Sequence, residues 1–240
     1  MILNSSGIVL STLRYSDSSV IARVYTRRKG LRSFMVRTGK GKNALPKLAM
    51  LQPLSIVEIS FQDDERKNLH TLRSIERESA LKSIPFEPLK TCIALFVAEL
   101  ISKSIEEEEG NEELYKFLHN AVLLLDDDTQ EVSNFHLKFM VEFTRFLGFY
   151  PQHSELRDPY FDLIEGEFVT SMPIHAHYLG QHSAGLLTNL MQVGMSAYAK
   201  VRIQNEHRRE LLQKLIEYYR LHLDGMKEIK SHRVLEEVLS

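Results

Sequence analysis

Residues 18–37 read SSVIARVYTRRKGLRSFMVR, and this stretch decides the fold. Val20, Ala22 and Val24 alternate with a set that includes Arg23, which is the two-residue period of a strand buried on one face. The basic run that follows ends at Gly30, a residue that can take the positive φ of a tight turn. A second strand over 31–37 then completes a β-hairpin.

The sequence on either side of this hairpin predicts three more strands and one short helix. A β-branched, apolar stretch over 7–13 precedes the hairpin, and strands over 54–61 and 69–75 follow it. A helical segment over 45–51 lies between the third and fourth strands. Five short strands in this order fit an OB-fold barrel or an SH3-like barrel, and the position of the helix favours the OB fold.

After residue 80 the hydrophobic period becomes that of a helix. Apolar helical faces recur over 89–101, 114–125, 132–146 and 212–223. The sequence therefore predicts an α+β multidomain chain with a five-stranded OB-fold β-barrel over 1–80 and a mostly α-helical C-terminal domain over 81–240. The second domain is expected to contain an irregular insertion at about 151–182, with a hairpin across 165–166.

Charge is divided unevenly along the chain, although the net charge is only −2. Residues 1–50 hold ten Lys or Arg and one acid, Asp17, whereas residues 51–240 hold 20 bases and 31 acids. A basic segment of this kind predicts a surface that binds a polyanion such as DNA. The candidate DNA-binding residues are Arg14, Arg23, Arg27, Arg28, Lys29, Arg32, Arg37, Lys40, Lys42 and Lys47.

Two aromatic residues near the basic segment, Tyr15 and Tyr25, are candidates for stacking on bases. The alternative interpretation is that both rings pack in the barrel. Because few aromatic residues interleave with the basic ones, we expect DNA binding through the phosphate backbone with weak sequence preference.

Several other classes of protein find no support in the sequence. The single cysteine, Cys92, excludes an internal disulfide framework and a multi-cysteine zinc site, and a reducing cytoplasm is the expected location. No apolar run is long enough to span a bilayer, and the N-terminus lacks the features of a signal peptide, so no membrane partner is expected. The run Gly39-Lys40-Gly41-Lys42 does not have the spacing of a phosphate-binding loop. We predict a protein without catalytic residues or cofactor.

A metal site is a weaker possibility, based on His153, His175, His177 and His182. A His-x-His pair can chelate a metal ion when both side chains lie on one face of a strand. No carboxylate spacing supports such a site, and surface histidines are the favoured interpretation. The acidic runs over 106–109 and 126–128 are interpreted as solvated connections.

Several segments, taken together and in order, resemble the RecO family. They are Gly7-Ile8-Val9-Leu10, Tyr15-Ser16-Asp17-Ser18, the turn 28–31, the basic loop 37–42, Gln52-Pro53-Leu54, Leu147-Gly148-Phe149-Tyr150-Pro151 and the C-terminal stretch 218–235. The resemblance implies a bacterial recombination mediator that binds single- and double-stranded DNA and anneals complementary strands. It also implies cooperation with RecR and in many bacteria RecF, contact with the tail of single-strand-binding protein, help in loading RecA, and a nucleoid-associated location.

The chain departs from this family at one point. Many members carry four zinc-binding cysteines after the Gly-Phe-Tyr-Pro segment, whereas residues 152–182 of this chain contain no cysteine. We therefore predict that this region lacks structural zinc and is held by packing.

A basic group near the start of a late helix is a candidate partner site. Its residues are Lys200, Arg202, Arg208 and Arg209, and Leu211 and Leu212 follow them. An acidic peptide with an apolar end suits such a mixed surface. The resemblance points to the tail of single-strand-binding protein as that peptide, and an exposed polar helix face is the alternative.

Three other functions fit parts of the sequence. The barrel also suits an RNA-binding module, and the histidine-rich region 153–182 suits a metal-dependent hydrolase. A scaffold whose basic loops bind an acidic protein is the third alternative.

Overall fold

The computed structural model of the chain describes residues 2–39, 45–64, 66–105, 109–152 and 158–239. The chain forms two compact units, which comprise residues 1–127 and 128–240. Within the described ranges, the first unit contains a β-barrel and three helices, and the second contains helices and a small sheet. The predicted domain boundary after residue 80 stays a prediction.

A closed five-stranded barrel forms the N-terminal part of the first unit. Its elements are β1 (Ile2–Ser16), β2 (Ser19–Thr26), β3 (Gly30–Arg37), α1 (Leu45–Met50), β4 (Ile56–Gln62) and β5 (Leu69–Arg77). The strands follow one another around the barrel in the order β1-β2-β3-β5-β4. Strands β3 and β5 are parallel, and the other paired strands are antiparallel. This topology, with α1 between β3 and β4, confirms the predicted OB fold.

The barrel core follows from the strand alternation. Val20, Ala22 and Val24 of β2 point inward and are buried, and Phe34 of β3 meets Phe61 of β4 edge to face, with 4.9 Å between ring centroids. Burying each large apolar side chain contributes about 1.5–3 kcal/mol relative to leaving it exposed. The closed barrel therefore leaves the alternate positions of the same strands facing outward.

Strand β1 is longer than the barrel wall requires. It pairs with β4 over Ile2–Ile8 and with β2 over Gly7–Ser16. The side chains of residues 11–16 are exposed. The last part of β1 and the first part of β2 therefore form a hairpin that extends the barrel sheet.

Two helices belong to the same compact unit as the barrel, α2 (Pro88–Ser104) and α3 (Glu112–Asp126). The Asp126 carboxylate accepts hydrogen bonds from the backbone N–H groups of Lys82, Ser83 and Ile84, at 2.7, 2.9 and 2.9 Å. The end of α3 is thereby fixed to the segment that leaves β5. Cys92 lies half-buried on α2.

The second unit is mainly helical. Its elements are α4 (Phe135–Leu147), β6 (Tyr160–Asp162), β7 (Glu167–Val169), β8 (Tyr178–Leu179), α5 (Gln181–Gln192), a 3-10 helix (Met195–Lys200), α6 (Asn205–His222) and α7 (His232–Val238). Helix α4 ends at Gly148, which takes φ 86°, a left-handed conformation that suits glycine.

The region predicted to be irregular contains a three-stranded sheet. Its strand order is β7-β6-β8, and Gly166 takes φ 72° in the turn that joins β6 to β7, where the hairpin was predicted. Phe161 and Phe168 are buried with 4.8 Å between ring centroids. The Asp162 carboxylate lies 3.0 Å from His175 Nε2. Apolar packing and polar contacts therefore hold the described part of this cysteine-free region, which begins again at residue 158.

Replacing Gly110 with alanine is expected to destabilise the first unit. A Cβ atom at this position would lie 2.4 Å from the Arg28 carbonyl oxygen and 2.8 Å from that of Arg27. The two backbone segments would have to move apart, at a cost of about 1–3 kcal/mol in the free energy of unfolding, which urea unfolding measures. Gly185→Ala in α5 is the control, because it meets nothing within 4 Å and should raise stability by roughly 0.5–1 kcal/mol. Equal effects of the two changes would contradict this packing.

The buried His136 of α4 is expected to make stability depend on pH. Burial, and to a smaller degree the charge of Arg208, lower the pKa of His136 to about 3. His136 is harder to protonate in the folded state than in the unfolded state. The stability that neutral His136 permits is therefore complete above about pH 6.5 and is lost as the pH falls toward 3. Between pH 6.5 and pH 5, protonation of His136 in the unfolded state should lower the free energy of unfolding by about 2 kcal/mol.

Urea unfolding of the wild type and of His136→Leu at the two pH values measures this loss. His136→Leu should not show this loss of stability. His182→Gln, a change at an exposed histidine, should show the same loss as the wild type. The same pH dependence in His136→Leu and in the wild type would contradict the assignment.

Candidate nucleic-acid interface

The outward side chains of β2 and β3 form a continuous surface, which we call the barrel face. Strand alternation places Ile21 and Arg23 of β2 and Ser33, Met35 and Arg37 of β3 on this surface. In the strand register, Arg23 is opposite Ser33, and Ile21 is opposite Met35. Because β5 pairs with β3, the face continues onto β5. Strands 2 and 3 of an OB fold are also where such barrels bind oligonucleotides.

A first groove, of about 250 Å³, lies where the barrel face meets the loop between β4 and β5. Its cationic side chains are Arg23, Arg32 and Lys67, and no acid occurs among the described residues that line it. Arg32 is buried and donates to the Leu31 carbonyl oxygen at 3.1 Å. Arg23 and Lys67 therefore present the accessible positive charges of this groove to an anion, and Arg32 adds a buried charge in its wall.

A second groove, of about 500 Å³, lies between β3, α1 and β5. Arg37, Lys47 and Arg73 line it, and the described part of its lining again contains no acid. Lys47 Nζ donates to the Arg37 carbonyl oxygen at 2.9 Å, which fixes the end of the Lys47 side chain beside β3. The side chains of all three cations are exposed.

The loop between β4 and β5, which contributes Lys67 to the first groove, also contains the acid Asp64. The backbone N–H of Arg66, together with the side chains of Lys67 and Arg66, lowers the pKa of the Asp64 carboxyl. Lys67 Nζ lies 3.4 Å from Asp64, in an exposed pair that is weak in water. Phosphates can therefore compete with Asp64 for Lys67.

The basic turn after β2 is engaged within the first unit. Arg27 donates to both carboxylate oxygens of Glu112, from Nε at 2.7 Å and from Nη2 at 2.5 Å. The hydrogen bond from Arg27 lowers the pKa of the Glu112 carboxyl. Lys29 Nζ lies 2.9 Å from Asp63, whereas the Arg28 side chain is exposed. Two of the three predicted DNA-binding charges of this turn are therefore already balanced.

The other predicted residues have varied surroundings. Arg14 pairs with Asp17 at 3.0 Å near the β1–β2 turn. Tyr15 is 63% exposed, but Tyr25 is only 1% exposed, so a base cannot stack on Tyr25 in this structure. The predicted role of Tyr25 in base stacking is therefore corrected: its ring packs in the barrel, which was the alternative interpretation. Lys40 and Lys42 lie outside the described residues.

Sequence reasoning missed two cations that line the grooves, Lys67 and Arg73. Both lie beyond residue 50, in a part of the chain where acids outnumber bases. The pairing of β3 with β5, in which Met35 is opposite Thr71, brings them to the barrel face. The alternation of side chains along β5 could have identified Arg73, because it places Thr71 and Arg73 on the same outward face of the strand.

Two of the four residues of the predicted partner group, Arg202 and Arg208, line a cleft of about 630 Å³ in the second unit. Arg208 is buried in its wall and donates to Asn134 Oδ1 at 2.9 Å, Asn205 Oδ1 at 2.6 Å and the Ile203 carbonyl oxygen at 2.9 Å. Burial lowers the pKa of Arg208. Its role as an exposed peptide-binding charge is therefore corrected to a structural role, because its three nitrogens are occupied.

The remaining members of that group are exposed. Arg202 lines the cleft, whereas Lys200 and Arg209 lie outside its lining. Glu131 also lines the cleft. The cleft is therefore less uniformly basic than the two grooves of the barrel face.

Three histidines of the predicted metal group contact a carboxylate or another histidine, and one of them, His175, is the neighbour of Asp162 described above. His177 Nδ1 lies 2.5 Å from Glu217, and the rings of His182 and His207 lie 4.0 Å apart. His153 lies outside the described residues. Within the ranges that the structure describes, no group of three or more His, Cys, Asp or Glu side chains is placed to hold a metal ion.

No described helix combines the length and the apolar character needed to cross a bilayer.

Comparisons with known proteins match the whole length of the chain. The family model for the N-terminal part of recombination protein O matches residues 1–80, and the model for its C-terminal part matches residues 85–232. Similar proteins are the DNA repair protein RecO of Phocaeicola vulgatus, 33% identical over the full length of both chains, and that of Flavobacterium psychrophilum, 35% identical over the full length of both. The RecO protein of Bacteroides fragilis is 36% identical over 99% of each chain. This chain therefore belongs to the RecO family of DNA repair proteins.

Proposed function

We propose that this protein binds single- and double-stranded DNA on its barrel face and anneals complementary strands during recombinational repair. One observation carries the proposal. The two grooves of the barrel face are lined by six cations, Arg23, Arg32, Arg37, Lys47, Lys67 and Arg73, and by no acid among their described residues. Such a surface neutralises phosphates and releases the counterions condensed on DNA.

Annealing follows from the same charges. Two single strands repel each other, and a shared cationic surface offsets this repulsion while it raises their local concentration. Holding two strands at one surface also removes part of the entropy cost of their encounter. The protein acts in this proposal as a template without chemistry of its own.

The contacts proposed for the barrel are mainly with the DNA backbone. Cations that contact phosphates fix the position of DNA but carry no sequence information. Tyr15, exposed at the end of β1, is proposed to stack on a base. We expect Arg14 and Arg28, both exposed, to contribute long-range attraction more than fixed contacts.

The partners proposed for this protein come from its family. They are RecR, in some bacteria RecF, single-strand-binding protein through its C-terminal tail, and indirectly RecA, which the protein helps to load. A cytoplasmic, nucleoid-associated location is part of this proposal.

The cleft of the second unit supports a site for that tail. The exposed Arg202, with Lys200 and Arg209 nearby, suits the acidic part of such a peptide. Buried Arg208 forms part of the wall. In this proposal it shapes the cleft and does not itself bind the peptide.

Removing the three cations of the second groove is expected to weaken DNA binding and to flatten its salt dependence. The variant is Arg37→Gln, Lys47→Gln and Arg73→Gln, and fluorescence anisotropy with a labelled thymidine oligonucleotide across a salt series is the measurement. Because each phosphate contact adds about 0.7 to the log–log slope for single strands, the slope should fall by about 2.

Two control variants accompany this measurement. Lys82→Gln, Arg220→Gln and Lys227→Gln removes three exposed cations elsewhere and should leave the slope nearly unchanged. Arg27→Gln and Lys29→Gln removes charges that Glu112 and Asp63 already balance and should also have a small effect. A slope that falls equally in all three variants would contradict the barrel face as the DNA site.

Stronger binding of RNA of the same sequence would favour an RNA-binding module instead.

The proposed tail site gives a separate prediction. Arg202→Gln with Arg209→Gln is expected to weaken binding of an acidic peptide with an apolar C-terminus by about fivefold, because exposed charge pairs contribute about 0.2–1 kcal/mol each. Titration of the labelled peptide measures this change, with Arg220→Gln and Lys227→Gln as the charge-matched control. Unchanged peptide affinity in the first variant would exclude the cleft rim as the tail site.

A further inference from the structure

An apolar row crosses the barrel face between its two groups of cations. Leu13 of β1 is opposite Ile21 of β2, Ile21 is opposite Met35 of β3, and Met35 is opposite Thr71 of β5. The four side chains therefore lie side by side across four neighbouring strands. We call Leu13, Ile21 and Met35 the apolar row.

Solvent reaches the whole apolar row, although its residues are apolar. Leu13 is 69% exposed, and Ile21 and Met35 are half-buried. These residues stand on the side of the sheet opposite to the inward Val20, Ala22 and Val36, so they add nothing to the barrel core. Adjacent apolar side chains that solvent reaches indicate a binding surface more often than scattered single ones do.

The cations on both sides of the row indicate what binds there. Arg23 lies two residues from Ile21 along β2, and Arg37 lies two residues from Met35 along β3. At about 3.4 Å per residue, each cation lies about 7 Å along its strand from the row. A ligand that crosses this face must therefore be anionic at its sides and apolar between them.

A single strand of DNA has this chemistry and a duplex does not. Its phosphates are anionic, and its unstacked bases expose flat apolar faces that protein side chains can contact. In a duplex the base faces are stacked inside the helix, and only base edges reach the grooves. An acidic peptide would satisfy the cations, but its charged side chains would lie against the apolar row.

We infer that the apolar row of Leu13, Ile21 and Met35 contacts unstacked bases and makes the barrel face prefer single-stranded over double-stranded DNA. This inference rests on the proposed function, because it assumes that DNA binds the barrel face. The cations bind the phosphates of single- and double-stranded DNA alike. The apolar row is the feature that distinguishes the two forms.

The test compares the affinities of the full chain for a labelled thymidine oligonucleotide and for a duplex of the same length. The variant Leu13→Gln, Ile21→Thr and Met35→Gln removes the apolar row and keeps every cation. Single-strand affinity should fall about tenfold, duplex affinity should change less than twofold, and the slope of the salt dependence should stay the same.

Two further variants make the result specific. Leu13→Met, Ile21→Val and Met35→Leu keeps the row apolar and should retain single-strand affinity. Leu123→Gln with Met172→Gln polarises two exposed apolar residues elsewhere and should leave both affinities unchanged. Thermal unfolding checks that all variants fold, which is expected because the changes point away from the core.

The outcomes separate this inference from the proposed function. If the wild type binds both DNA forms but the polar row variant loses neither affinity, or loses both equally, the inference is overturned and the proposed function stands. If the wild type binds no DNA at low salt, the proposed function itself fails. A concentration-dependent dimer that only the polar row variant abolishes would show that the row joins two copies of the chain, and it would overturn the inference.

Discussion

The parallel pairing of β3 with β5 is the constraint on which the barrel and its binding face depend. Three register pairs join the strands: Ser33 with Leu69, Phe34 with His70, and Met35 with Thr71. A parallel pair needs a crossover connection, and α1 with β4 provides it. The pairing closes the barrel around its hydrophobic core and brings the cations of β5 and of the loop before it next to those of β2 and β3. One backbone arrangement thus provides both stability and the candidate site.

Charge in the first unit is partly used to hold the unit together. The basic turn after β2 is balanced by the carboxylates of Glu112 and Asp63. The Asp126 carboxylate fixes the segment after β5 to the end of α3. The cations of the two grooves, in contrast, face a lining without acids in the part that the structure describes. Part of the strong positive charge of the first fifty residues therefore has a structural role, and another part lines the two grooves.

Local patterns predicted the fold well, because strand alternation and turn glycines act within a few residues of sequence. The five strands, the helix before β4, and the turns at Gly30 and Gly166 all agree with the structure. The site was predicted less well, because its composition depends on contacts between distant parts of the chain. The pair of Arg27 and Glu112 spans 85 positions. Neither that pair nor the three acceptors around Arg208 can be recognised from a periodic pattern in the sequence.

The central claim is that DNA lies across β2, β3 and β5. Hydrogen–deuterium exchange of the full chain, with and without a thymidine oligonucleotide, tests it most directly, because it maps protection along the backbone without any substitution. We predict that DNA slows exchange in residues 19–23, 33–37 and 69–73. Protection confined to the turn 27–30, or to residues 200–209 of the second unit, would contradict it.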